Sequence, residues 1–362
     1  MKPQSMCEIW RGSYLESIHT GMAIICDKNG EISHQWGDPN SLILPRSSAK
    51  MMQAIPLIIS GAEKEFSLGE DLLALACASH NAADIHLSRV QSWLSHLGLS
   101  ETDLRCGPQP PKDPHIKKEI RDKGQPPCQI HNNCSGKHAG FLSVSRHLNA
   151  GSEYTDPEHP VQIMVMEIFQ ELTQNKVDGI AIDGCSAPNP AVPLYSLARA
   201  MSWFATAHNR HDQLSKAAVK LRNAMVNYPE LVAGEGRACT NLMQACGKKA
   251  ILKTGAEGVF VAILPELEKG IALKIIDGGT RASECAIASL LIQLGVLNPD
   301  HPTALTYTHA PILNWRKIQT GIMKASNSFK ICLFCLISHL MFCPNLLTTQ
   351  IIQQKGKLYP TS

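Results

Sequence analysis

Two pairs of apolar strand segments, one near each end of the chain, constrain this fold more than any other feature. Residues 21–25 and 32–36 flank Asp27-Lys28-Asn29-Gly30, a run rich in reversal formers, and the pattern predicts a hairpin. Far downstream, residues 258–264 and 270–276 flank a short acidic connection that runs into Gly270, and a further apolar stretch surrounds Ile251. Strands so distant in sequence complete one largely antiparallel sheet only if both ends of the chain come together. The expected class is therefore α+β, an antiparallel sheet flanked by helices, with residues 1–327 as a single domain.

The middle of the chain reads as helical. Ser67-Leu68-Gly69-Glu70 has the spacing of a capping box ahead of the apolar residues Leu72, Leu73, Leu75 and Ala76. Helical periodicity also covers residues 85–97, 161–172, 194–207, 214–227, 239–246 and 282–294. Residues 106–127 hold six prolines, which predicts an irregular connection around one short basic helix.

Composition narrows the function classes. Of 362 residues, 44% are hydrophobic, enough for a full core, and only 18% are charged. The net charge of +3 is spread along the chain, so no basic stripe marks a nucleic-acid partner. Glu8, Arg11 and Glu16 interrupt the region where an export signal needs an unbroken apolar run, which predicts a cytoplasmic protein. Thirteen scattered cysteines suit thiols or metal ligands better than a disulfide scaffold. From Ser328 the text turns rich in Cys and Phe, and residues 328–362 read as an atypical, non-native or disordered tail. Its apolar run is too short and too interrupted by His339 and Pro344 for a membrane anchor. Cys332-x-x-Cys335, with Cys343, is a thin zinc signal.

Three strings carry the chemistry: Ser47-Ser48-Ala49-Lys50, Ser79-His80-Asn81 and Lys253-Thr254-Gly255. With one substitution they reproduce, in order, the S-x-x-K, S-x-N and K-T-G elements of serine acyl-transfer enzymes. After Pro45, residues 46–48 look like a helix entry, where Ser47 and Lys50 share a face and the hydroxyl and amine can meet. A serine needs a base, and an ordinary lysine is neutral only about one time in 2,500 at pH 7. Burial beside a second cation would lower the pKa of Lys50, and Lys253 is the candidate for that second cation. Ser79, in the loop after a helix, is placed to relay a proton between Lys253 and a leaving amine. The helix-face argument favours Ser47 as the serine that attacks first, and the sequence leaves Ser79 open. Taken singly, each string is also what a helix cap or a solvated strand end looks like.

Two further strings place a thiol among polar groups at the end of an element: residues 132–138, Asn-Asn-Cys-Ser-Gly-Lys-His, and residues 179–185, Gly-Ile-Ala-Ile-Asp-Gly-Cys. Cys134 and Cys185 could supply soft ligands to zinc, with Asp183, Lys137 or His138 completing the shell. The alternative is two packed thiols, a common fate of free cysteine.

Together, Pro45-Arg46-Ser47-Ser48-x-Lys50, Ala78-Ser79-His80, residues 133–138, Asp183-Gly184-Cys185 and residues 253–258 resemble the rhizobial-type L-asparaginase family, also called asparaginase II. The resemblance spans about residues 8–324. It implies a fold like the serine β-lactamases and glutaminases, a homodimer, and hydrolysis of L-asparagine to L-aspartate and ammonia. It also implies two Ser-Lys pairs, Ser47 with Lys50 and Ser79 with Lys253, and zinc held by Cys134, Lys137 and Cys185 near Asp183. In this reading Arg46, His138 and Asp183 are substrate-binding residues, with Arg46 and His138 holding the α-carboxylate or shaping the cleft. Two competitors share part of the pattern. One is a serine hydrolase or glutaminase of the penicillin-recognising class, against which residues 133–138 and 183–185 speak. The other is an inactive zinc-binding homologue whose altered tail has cost it activity.

Overall fold

A computed structural model describes residues 2–331. The chain divides into a compact unit, Met1–Phe329, and a second unit, Lys330–Ser362. The expected atypical tail, with Cys332, Cys335 and Cys343, therefore lies almost wholly outside the described residues. The expectation of a non-native or disordered end, and the reading against a membrane anchor, concern that same stretch.

The sheet is built from both ends of the chain. Its strands are β1 (Gln4–Arg11), β2 (Tyr14–Cys26), β3 (Ile32–Trp36), β4 (Ile251–Gly255), β5 (Val259–Leu264), β6 (Lys269–Ile275), β7 (His309–Leu313) and β8 (Gln319–Ala325). Their order is β7-β8-β1-β2-β6-β5-β4, with β3 pairing the distal half of β2. Every pairing is antiparallel, and Ala23 faces Trp36 across the predicted hairpin while Ile271 faces Ile25 across the junction of the two ends. Strand β5 is buried along its whole length, as befits a strand covered on both faces.

Nine helices bear on the argument: α1 (Lys50–Ile59), α2 (Glu70–Ala76), α3 (Asp84–His96), α4 (Ser135–His147), α5 (Pro160–Thr173), α6 (Leu194–Ala205), α7 (Gln213–Asn227), α8 (Ala238–Cys246) and α9 (Thr280–Gln293). Helices α6 and α9 pack on the sheet, whereas α1 sits among α4, α5 and α7 at the centre of the helical body. Gly270 sets the distance between α6 and β6. A Cβ there would lie 2.0 Å from the Ser202 nitrogen, so only glycine lets the helix backbone approach this closely.

The predicted capping box is not made. Gly69 is the N-cap of α2 and no side chain caps it. Ser67 instead closes the short preceding helix Ala62–Glu65 with φ of 48°, while the next amide, Leu68 N–H, returns to the Glu63 carbonyl. The proline-rich connection does contain its short basic helix, Pro114–Asp122, capped by Asp113.

Candidate active site

The turn ahead of α1, residues Arg46–Ala49, packs against β4, and Gly255 makes the contact possible. A Cβ on Gly255 would sit 2.6 Å from the Pro45 carbonyl oxygen. Here the missing side chain of Gly255 lets two stretches of the protein's own backbone meet.

Two lysines converge on one hydroxyl. Lys50 Nζ donates to Ser79 Oγ at 3.0 Å and also to the Ala78 carbonyl, while Lys253 Nζ lies 2.9 Å from the same Ser79 Oγ. Ser79 is 8% exposed, Lys50 1% and Lys253 0%, so neither amine is free to wander. The expected meeting of Ser47 with Lys50 is absent as a hydrogen bond. Lys50 points inward from the first residue of α1, past the half-buried Ser47, whose hydroxyl has no partner among the described residues. The expected pairing of Ser79 with Lys253 is present.

Burial pulls the Lys253 pKa down from 10.5 to about 7, and the positive charge of Lys50 pulls in the same direction. This supplies the neutral amine that an ordinary lysine lacks near pH 7, but with the expected roles reversed: Lys253 is the amine that burial lowers, and Lys50 is the cation beside it. Behind Ser79, His80 Nε2 pairs with Ser135 Oγ at 3.0 Å and the ring stacks on His86, with centroids 4.8 Å apart. Burial keeps His80 neutral well below the ordinary imidazole pKa.

The network continues to the thiols. Lys50 Nζ lies 3.1 Å from Cys134 Sγ, and Lys137 Nζ lies 3.2 Å from Cys185 Sγ. Cys134 Sγ donates to Asn133 Oδ1 at 3.0 Å. The interaction between the two buried thiols holds Cys185 well below its usual range and raises Cys134 above its own, and the Lys137 charge lowers Cys185 further. Burial alone would lower Lys137, but Cys185 and Cys134 outweigh it and the ammonium is favoured. Among the described residues, no three His, Cys, Asp or Glu side chains gather as a metal would require. The donor types of Cys134, Cys185 and Lys137 nonetheless suit zinc, with two sulfurs, the buried His138 Nε2 left without a hydrogen bond, and an amine that would have to give up its favoured proton to bind.

Arg46, Asp183 and His138 also find places. Arg46 adopts φ of 53°, held by its N–H to Asn189 Oδ1 at 3.1 Å and by an ion pair from Nε to Asp183 Oδ1 at 2.7 Å. Asp183 is thus occupied by Arg46. His138 is fully buried, its Nδ1 is 3.0 Å from the Tyr154 hydroxyl, and burial lowers its pKa to about 4. An uncharged, enclosed imidazole is poorly placed to hold a carboxylate.

With one network linking the Ser-Lys strings to both cysteine strings, comparison with known proteins decides the relationship: residues 7–325 match the family described as L-asparaginase II. The chain belongs to the L-asparaginase II family. No curated protein matches the sequence significantly. Among solved structures, Mglu in its native form is similar at a TM-score of 0.47 and 13% identity, over 78% of this chain and 66% of that one. The chain thus spans just under two thirds of the length of Mglu. A Bacillus glutaminase matches at 0.43 and 12% identity, over 77% and 92% of the two chains. A β-lactamase from Mycobacterium bovis matches at 0.43 and 12%, over 76% and 95%. No helix among the described residues is long and apolar enough to cross a membrane.

Sequence reasoning missed Asn189 and Arg237. Asn189 lies between two prolines with nothing local to mark it. Arg237 follows Gly234-Glu235-Gly236, a glycine-rich approach that signals a tight backbone path.

Proposed function

We propose that this asparaginase-family chain hydrolyses the side-chain amide of L-asparagine to L-aspartate and ammonia through a serine ester. The observation that carries the reading is the Ser79 hydroxyl held between Lys50 and Lys253, with Lys253 titrating near pH 7. Neutral Lys253 takes the Ser79 proton as Ser79 Oγ bonds to the amide carbon. The resulting Lys253 ammonium passes that proton to the leaving nitrogen, and ammonia departs as the C–N bond breaks. Lys253, neutral again, deprotonates the water that cleaves the ester and returns Ser79. Lys50 keeps the Ser79 oxygen aimed and offsets negative charge on it. Cys134, Lys137 and Cys185 would hold zinc, which when bound supplies a Lewis acid that orients or polarises the substrate.

Ser47 supports a second reading, because its hydroxyl is more exposed than Ser79 and has no partner among the described residues. In that reading Ser47 attacks, and the Ser79–Lys253 pair moves the proton. Our reading also takes the protein as a cytoplasmic homodimer acting on a small molecule. The test is ammonia release by the purified chain with L-asparagine and L-glutamine side by side, before and after loading with zinc. Release from asparagine that disappears in Ser79→Ala supports the reading. A folded chain that releases none under either condition sinks it.

A further inference from the structure

An unpaired guanidinium stands beside this site. Ser79 N–H donates to the Val232 carbonyl at 2.9 Å, which ties the serine loop to the segment leading into α8. Two residues on, Gly234 adopts φ of +113°, and a Cβ there would lie 2.4 Å from Asn81 Cγ. On the far side, Thr254 N–H donates to Cys239 Sγ at 3.2 Å, linking the start of α8 to the strand that carries Lys253. Arg237 is therefore fixed between the serine loop and the lysine strand.

The Arg237 guanidinium is half-buried, yet it forms no hydrogen bond or ion pair with any described residue. Its charge lowers both Lys253 and His80, which places it within electrostatic range of the serine site, and it favours the carboxylate of Glu284 without meeting it as an ion pair. The other two candidates for holding a carboxylate are compromised, since Arg46 is committed to Asp183 and His138 is enclosed and neutral. A cleft of about 570 Å³ opens over Asn81, Glu235 and Gly236, so solvent reaches the segment that carries Arg237.

We propose that Arg237 binds the α-carboxylate of the substrate and so restricts the site to amides of α-amino acids. A guanidinium offers paired donors that match a carboxylate, which a half-buried cation without a protein partner is free to use. The proposal rests on the amide-hydrolase reading, and its test separates the two.

Arg237→Gln and Arg237→Lys are made in the full chain, and kcat/KM is measured for L-asparagine and for 3-aminopropanamide, which is asparagine without its carboxylate. The native protein is expected to favour asparagine by about 10- to 100-fold, the worth of charge-assisted bonds. In Arg237→Gln that preference collapses toward parity through KM, and Arg237→Lys recovers part of it. A preference that survives in Arg237→Gln overturns the proposal. L-Aspartate binding by calorimetry gives a readout that needs no turnover. It is expected to weaken about 10- to 100-fold in Arg237→Gln, and unchanged binding also overturns the proposal. A native chain that binds L-aspartate through Arg237 but releases no ammonia refutes the catalytic reading and leaves this one standing. If Arg237→Gln fails to fold, Arg237→Lys decides, because a purely structural role would leave its asparagine preference untouched.

Discussion

Replacing Lys253 with methionine keeps the volume of the side chain and removes its charge. A pKa that falls from 10.5 to about 7 corresponds to about 5 kcal/mol of disfavour for the buried ammonium. The sign follows from proton counting. Below about pH 7 both folded and unfolded chains carry the proton, and the folded state bears the whole penalty. Between about 7 and 10.5 the unfolded chain keeps the proton that the folded chain has lost, so stability rises with pH. Relative to Lys253→Met, the native protein should therefore gain about 4 kcal/mol between about pH 6 and pH 10. The lost contacts to Ser79 and the Thr254 carbonyl shift the comparison by an amount that hardly varies with pH. Urea unfolding of both proteins across that range measures the difference. A difference that stays flat would mean that Lys253 keeps an ordinary pKa and cannot be the base. The same substitution should lower kcat by about 10²- to 10⁴-fold and abolish the limb of the rate profile that rises through pH 7.

Three other perturbations probe separate parts of the structure. Gly270→Ala puts a methyl group into the α6 backbone and should cost about 3 kcal/mol or more in denaturant unfolding, because neither helix nor strand can yield. Cys185→Ser should reduce zinc binding in equilibrium dialysis by at least about 10-fold; retention of a full equivalent would show that Cys134, Lys137 and Cys185 do not hold the metal. Zinc binding by the native chain should also weaken as pH falls, since Lys137 must give up a proton that Cys185 and Cys134 help it keep.

The sheet was legible because its central strands are local hairpins with reversal residues between them, and only their joining at β2 and β6 required the two ends to meet. Strands β1, β7 and β8 were not, since Gln4–Arg11 mixes polar and apolar residues and His309–Leu313 contains Pro311 on an edge, where a missing N–H costs little. The site residues were legible as types at fixed spacings, but their pairing was not. Ser47 and Lys50 share a helix face in sequence, yet Lys50 reaches across to Ser79 because the buried Ala78 carbonyl and the Ser79 hydroxyl offer it partners that the half-exposed Ser47 does not. The capping box failed for a similar reason. Ser67 terminates one helix before it can begin the next. Arg237 escaped notice because its distinction is the lack of a partner, which only the folded chain reveals.

The most direct test of the two-lysine serine site is to trap the ester. Rapid acid quench of the chain during turnover of L-asparagine, followed by peptide mass mapping, should find one aspartyl group on the peptide that contains Ser79, absent in Ser79→Ala. An aspartyl group on the peptide that contains Ser47, retained when Ser79 is replaced, would contradict the account.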